Sequence, residues 1–402
     1  MKIVLVGPTH PFRGGIAHYS TQLARHLATR HALTFISFRR QYPRLLFPGR
    51  GDRDPSARPI EVGAERLLAP LEPWTWWRSA RRLAEARPDL VIFQWWVPFW
   101  APSLASLAWL ARRWTGARIL FVCHNVLPHD GGRLWERALI RLALGQGDAW
   151  LLHSERDEAA LRALLPGRVT RREAAAPGRR AIHRALLPLH GIATPLDRVE
   201  ARRRLDLPEG APVALFFGFV RRYKGLDQLI AALPTVLARQ PALRLLVAGE
   251  FWEPAEGYRA QARALGVADA LRIDDRYIPN EEVGAYFAAA DLLVMPYLQA
   301  TQSGVVTLAI DQGLPIVATR VGGLPEAVED GVTGTIVPPA DPAALATAIL
   351  ALLEDAALRT RLAAGARAAR ERFGWDPLLA LIEAIGAGRE PDGAPEASID
   401  AG

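Results

Sequence analysis

Residues 301–326 read TQSGVVTLAIDQGLPIVATRVGGLPE, and the order of their signals decides the fold. The apolar run Leu292-Leu293-Val294-Met295-Pro296 leads into a small polar turn, Gln302-Ser303-Gly304, with Val305 behind it. A helix of about two turns then runs to Gly313. Pro315 to Thr319 form a short buried strand, and Gly322-Gly323 make a second tight turn before another helix start. Strand, turn, helix, strand, turn is the pattern of a parallel α/β sheet. Gly304 has no Cβ, so a ligand can come close to its backbone. The first N–H groups of the helix lack intrahelical partners and sit at the positive end of its dipole. That arrangement suits a phosphate or pyrophosphate. Ser and Gly are also ordinary helix caps, so two plain βα loops would leave the same trace.

Outward from this stretch the same alternation continues. Strand signals lie at 213–217, 243–248, 271–273, 292–295, 316–318 and 335–337, with helices between them, including 226–238, 281–289 and 343–353. Further helices follow over about 355–372 and 376–386. The first half shows strands at 3–6, 33–38, 90–94, 118–123 and 149–153, and helices from Ile16, over 104–114 and over 133–144. Repeated βα units imply a parallel sheet with right-handed crossovers in each half. Residues 39–60, rich in Arg, Pro, Gly and Asp, read as a long mobile loop, 187–211 as a linker, and the tail from Gly388 as disordered. Open parallel sheets bind ligands at the carboxyl ends of their strands, so functional residues are expected just after strands, around a shared cleft.

At 402 residues the chain is long enough for two domains. Half its residues are hydrophobic and 23% are charged, as in a soluble globular protein. It has no apolar run of membrane-spanning length, and the first residues read as a strand rather than a signal peptide. The only cysteine, Cys123, excludes an internal disulfide and a cysteine zinc cage, and a reducing, cytoplasmic setting is the expectation. Residues 1–190 hold 29 Lys+Arg against 14 Asp+Glu, and the remainder 20 against 28. A basic first half favours an anionic partner, a membrane surface or a phosphate-bearing acceptor. Nucleic acid would rest on net charge alone, and arginines scattered through every segment fit a solvated surface equally well. The chain has only two lysines, Lys2 and Lys224.

Four groups of residues follow strands. Gly14-Gly15 precede a helix, without the dinucleotide fingerprint; they admit a phosphate or sugar, or form a plain loop. His124 and Asn125 end a strand, with His129 and Asp130 in the same loop. Their spacing fits no zinc pattern, and polar groups for a sugar are the better reading. His129 reads first as a satisfied loop histidine. Arg221 and Lys224, in the loop from Gly218 to Gly225, could neutralise a pyrophosphate leaving group; a lysine in so arginine-rich a chain suggests a compact point charge. The tryptophans of the first half read first as core. Trp95, Trp96 and Trp100 follow a strand and could line the cleft mouth, and tryptophans beside arginines also suit a membrane interface.

Taken together, Gly14-Gly15, VCHNVLPHD (122–130), FFGFVRRYKGLD (216–227), YIPNEEVGAYFAAADLLVMPY (277–297) and the 301–326 stretch resemble the GT-B glycosyltransferases of retaining family 4 over nearly the whole chain. The resemblance implies two Rossmann-like α/β domains facing a central cleft, residues 1–190 on the acceptor side and 191–372 on the nucleotide-sugar side. A helix at 373–387 would cross back to the first domain, ahead of a tail at 388–402. It implies a UDP- or GDP-linked sugar donor, a glycan or lipid-linked acceptor, no metal and no cofactor. By position, Arg221, Lys224, Ser303, Gly304 and the neighbouring Gln302 and Val305 would hold the diphosphate, with Gly14-Gly15 nearby. His124 would face the transferred sugar. Tyr277, Ile278 and Glu282 would meet the base, and Asn125, His129, Trp95 and Trp96 the acceptor. The chain departs from the family where two glutamates often stand, at Ala300 and Leu308, and carries Phe219 where an arginine is usual. The loss leaves open a second reading, a partner subunit that binds a nucleotide or glycan without turnover.

Overall fold

The computed structural model describes residues 1–42, 50–128, 131–167 and 180–389. His129, Asp130 and residues 390–402 lie outside the described residues. The first part of the chain runs β1 (Lys2–Val6), α1 (Gly15–Ala28), β2 (Ala32–Phe38), β3 (Glu65–Leu68), α2 (Pro73–Ala86), β4 (Leu90–Trp95), α3 (Ala101–Thr115), β5 (Arg118–Cys123), α4 (Leu134–Leu144), β6 (Ala149–Leu152), α5 (Glu155–Leu164) and β7 (Ala181–Arg184). These seven strands form one parallel sheet in the order β3-β2-β1-β4-β5-β6-β7. The second part holds α6 (Arg198–Arg204), β8 (Val213–Phe217), α7 (Leu226–Arg239), β9 (Arg244–Ala248), α8 (Glu256–Ala264), β10 (Leu271–Asp274), α9 (Asn280–Ala289), β11 (Leu292–Met295), α10 (Gly304–Gln312), β12 (Ile316–Thr319), α11 (Leu324–Ala327), β13 (Gly334–Val337), α12 (Pro342–Glu354), α13 (Ala356–Ala369) and α14 (Trp375–Gly386). Its six strands are also parallel, in the order β10-β9-β8-β11-β12-β13.

Each sheet is covered on both faces, so its central strands are apolar throughout. Along β4, Val91, Phe93 and Trp95 face the core beneath α2, α3 and α4. Leu90 and Ile92 face the opposite core, with α1 and α14. Strand alternation fixes this division. Burying each such Leu, Ile or Val contributes roughly 1.5–3 kcal/mol. Helix α14 inserts Leu378, Leu379, Leu381, Ile382 and Ile385 into the core of the first sheet, so the last described helix packs against the domain that β1 opens.

Two expectations need correction. Trp95 does not line a cleft mouth: it is fully buried, because it shares the odd face of β4 with Phe93. The described part of 39–60 is tied across to the second sheet's domain. The Arg50 and Ala57 amides donate to Glu250 (2.9 Å) and Glu281 (2.8 Å), and the Asn280 amide donates to Ser56 Oγ (3.0 Å). A stretch read as mobile from its composition is thus held by hydrogen bonds to partners far away in sequence.

In both sheets the strand order reverses beside the first strand of the domain: between β1 and β4, and between β8 and β11. Loops that leave a sheet in opposite directions open a crevice there. The loop after β1 carries Gly14-Gly15, the loop after β8 carries Lys224, and the loop after β11 carries Ser303.

Candidate active site

On the second domain, the loop after β8 is drawn in against the loop after β11. Gly225 has φ +66°, and a Cβ there would lie 2.0 Å from the Pro296 carbonyl oxygen, so only glycine allows the approach. The Leu298 amide donates to the Tyr223 carbonyl at 2.7 Å. The result buries Lys224, whose Nζ lies 5.1 Å from the Tyr297 ring centre. Burial lowers the Lys224 pKa, opposed by Tyr223 and reinforced by Arg221.

Gly218 marks where the parts meet. A point in the Cβ position of Gly218 is 3.1 Å from Lys224 Nζ and 3.4 Å from Val305 Cγ2, in the first turn of α10. The helix end is capped by Ser303, whose Oγ accepts from the Val305 amide at 3.3 Å. A buried ammonium and a helix N-terminus therefore converge on one small space, where both favour an anion. Arg221 is placed differently: its guanidinium stacks 4.8 Å from the Trp252 ring centre and 5.3 Å from that of Tyr223.

On the first domain, Gly14 (φ +106°) ends the β1 loop, and Gly15 opens α1. Arg13, just before them, reaches across the cleft. Its two terminal nitrogens donate to the two oxygens of Glu250 at 2.6 and 2.8 Å, and both side chains are buried. The Arg13 guanidinium also lies 5.0 Å from the Tyr277 ring centre, and Tyr277 Oη is 3.3 Å from His18 Nε2. Tyr277 thus faces the first domain. Ile278 is in the core of the second, and Glu282 is engaged in an ion pair with Arg276.

His124 continues the even face of β5, opposite Trp95 and beneath α1. Its Nε2 is 2.7 Å from Gln94 Oε1, and its ring meets Tyr19 edge-on at 4.8 Å. Nε2–H donates to the Gln94 carbonyl, which leaves the Nδ1 lone pair facing the Gln302 amide nitrogen at 3.4 Å. Asn125 Oδ1 accepts from the Thr301 hydroxyl. The 301–304 turn therefore touches the first domain and adjoins the space beside Gly218 at once. Burial, then His153 and His190, holds the His124 pKa well below the usual histidine value. The ring is neutral and poised to orient rather than to donate a proton. Around it, buried polar atoms lack a partner among the described residues: Tyr19 Oη, Gln94 Nε2, His153 Nε2 and Gln302 Oε1. Such atoms are costly to bury unsatisfied, and together they fit the hydroxyls of a sugar. Among the described residues, no three or more His, Cys, Asp or Glu side chains form a group that could hold a metal.

Ala300 and Leu308 are buried, and Leu308 sits in the second domain's core. Trp96 is half-buried and donates its ring N–H to Tyr42 Oη at 2.7 Å. Sequence reading missed Arg13, Glu250, Tyr19, His153 and His190. Arg13 adjoins the Gly14-Gly15 pair, which was the one local signal for it; Glu250 lies 237 positions away.

Residues 211–355 match the family described as "Glycosyl transferases group 1", and residues 13–171 match "Glycosyltransferase Family 4". A D-inositol 3-phosphate glycosyltransferase of Streptomyces scabiei is 30% identical over 381 residues, covering 90% of this chain and 84% of the relative. One from Geodermatophilus obscurus is 33% identical over 392 residues, covering 90% and 82%. Among solved structures, sucrose-phosphate synthase of Thermosynechococcus elongatus superposes with a TM-score of 0.71 at 21% identity, covering 96% of this chain and 98% of that one. Anabaena HepE in complex with UDP gives 0.72 at 19%, covering 96% and 100%. The chain belongs to the group 1 glycosyltransferases of family 4, and is a transferase with the GT-B fold.

Proposed function

We propose that the protein moves a sugar from a UDP- or GDP-linked donor to a hydroxyl acceptor, with the anomeric configuration retained and without metal or cofactor. The observation that carries this reading is the convergence of Lys224 and the α10 N-terminus on the space beside Gly218. As the bond from the anomeric carbon to the diphosphate breaks, negative charge grows on the leaving oxygen. A buried ammonium and a helix N-terminus stabilise that charge where water is excluded. The acceptor hydroxyl attacks from the same face, its oxygen bonds to the anomeric carbon, and its proton passes to the departing phosphate oxygen. Neutral His124 and the unpartnered atoms around it hold the sugar in line. Calorimetry with UDP and GDP, followed by donor hydrolysis, tests this. Binding without any turnover would favour the partner-subunit reading that Ala300 and Leu308 support.

The acceptor we infer is lipid-linked, in polysaccharide or glycolipid synthesis, met at the inner face of a membrane. Eight of the eleven exposed large hydrophobic residues described lie on α2, α3, α4 or just before α2: Leu71, Trp74, Trp77, Trp109, Trp114, Leu134, Trp135 and Leu142. The three helices lie side by side and carry seven arginines against two glutamates. Beside them an apolar groove of about 490 Å3, lined by Leu71, Pro73, Trp76, Phe99, Trp135 and Leu139, is formed by the segments that follow β3 and β4 together with α4. Tryptophan with arginine is the composition of an anionic lipid interface. No helix among the described residues is long and apolar enough to cross a membrane. Sedimentation with phosphatidylglycerol vesicles should capture the protein and phosphatidylcholine vesicles should not. Equal behaviour in both would remove this part of the proposal. The relatives' names give D-inositol 3-phosphate, a soluble phosphorylated polyol, and an enzyme for such an acceptor would ignore both vesicles.

A further inference from the structure

We propose that His190 is a diphosphate-binding residue: lodged between the glycine turns of the two domains, it takes up a proton when the diphosphate arrives and acts as a further countercharge beside Lys224. The proposal rests on the donor reading above and adds a residue and a proton to it.

His190 lies in the connector between β7 and α6, and its backbone oxygen accepts from Gln22 Nε2 of α1 at 2.9 Å. Its ring reaches both anion-friendly turns. Nε2 is 2.8 Å from the position a Cβ would take on Gly304, and 3.7 Å from that on Gly15. The tautomer follows from the hydrogen bonds. The Thr307 hydroxyl donates to the Gly304 carbonyl at 2.8 Å, so its oxygen can only accept from His190 Nδ1–H, 3.0 Å away. The lone pair is then on Nε2, the atom beside the two turns. A lone pair there repels phosphate oxygens; an N–H on a charged imidazole attracts them.

In the free protein the ring is neutral. Burial, with His18 adding and a hydrogen bond to the Pro188 backbone opposing, holds its pKa down at about 4. The titratable groups that face it are His18 of α1 and His124 at the end of β5, both themselves lowered by burial, while Gln22 and Thr307 carry no charge. Among the described residues the backbone of Pro188 favours the charged ring only as a neutral dipole, so the incoming diphosphate would supply the missing countercharge.

Proton uptake is read by titrating UDP and GDP into the full-length protein at pH 7.5, in two buffers of different ionisation enthalpy. The wild type should take up on the order of half to one proton per nucleotide bound. His190→Gln should lose that share and bind roughly three- to tenfold more weakly. Lys224, also buried, could take up a proton, so the difference between the two proteins is the measure. Equal uptake in both, or none in the wild type, would overturn the role of His190 while leaving the donor reading standing. Should the Gln variant not fold, histidine 15N spectra of the wild type decide: on adding whichever of UDP and GDP binds, one ring should change from the neutral to the imidazolium pattern. No such change would equally overturn the proposal. If neither nucleotide binds, the donor reading itself falls, and His190 with it.

Discussion

The two walls of the cleft are built by different means. The second domain's wall is made of loops at the switch point of its sheet: Lys224 leaves β8, Ser303 leaves β11, and Gly225 lets the two loops close on each other. It offers positive charge and helix-end N–H groups, and its members are few, each in a loop that directly follows a strand. The first domain's wall is made of side chains gathered from separate strands and helices. Tyr19 comes from α1, Gln94 from β4, and His124 and His153 from the ends of β5 and β6. It is neutral, buried and short of hydrogen-bond partners. On the proposed reading one wall holds charge and the other hydroxyls, so changes on each should fail in different ways.

The largest effect expected is on the charged wall. Lys224→Ala should cut turnover by about ten- to a thousandfold, with Arg221→Ala costing less, because Arg221 is stacked on Trp252 and Tyr223 rather than buried beside α10. Steady-state rates with a fixed donor measure both, and an unchanged Lys224→Ala rate would remove that residue from the account. Between the walls, Glu250→Gln removes the countercharge from a buried, bidentate Arg13 and should cost about 3–5 kcal/mol of stability. Urea unfolding reads it, and a loss below about 1 kcal/mol would show the pair to be effectively solvated.

Acid should weaken the protein through its buried histidines. Burial holds His153 and His190 at about 4, below the unfolded value of about 6.5. Between those values the unfolded chain binds more protons, so stability rises with pH there and falls as pH drops from about 6.5 towards 4. The loss is roughly 3 kcal/mol for each histidine over that window. Unfolding midpoints across the window should fall less steeply in His153→Gln than in the wild type; parallel curves would contradict the assignment. On the neutral wall, His124→Gln should lower transfer several-fold yet leave UDP or GDP affinity within about twofold, as expected for a group that contacts the sugar alone. A large loss of nucleotide affinity in that variant would erase the distinction between the walls.

The same contrast explains what the sequence disclosed. Strand ends, glycine turns and the Lys224 loop are local, so their order along the chain revealed two parallel sheets and pointed to the loops of one wall of the proposed site. The other wall depends on which face of a strand a side chain takes. In β4 and β5 both faces are apolar, so alternation is invisible until one sees that Trp95 goes under α3 and Gln94 and His124 go under α1. Arg13 with Glu250, and His190 with Thr307, are pairs separated by 237 and 117 positions, which no local pattern reports. Helix α2 was also missed. Pro73 at its start and three tryptophans within 74–77 read as an aromatic cluster, whereas proline suits a first helical turn.

The central claim is that Lys224 and the α10 N-terminus grip one diphosphate. Calorimetric titration of UDP against UMP, and of GDP against GMP, into wild type and Lys224→Ala tests it most directly. The wild type should prefer the diphosphate of its matching base by tenfold or more, and Lys224→Ala should lose most of that preference while keeping its affinity for the monophosphate. A preference that survives the substitution, or equal weakening of both nucleotides, would contradict it.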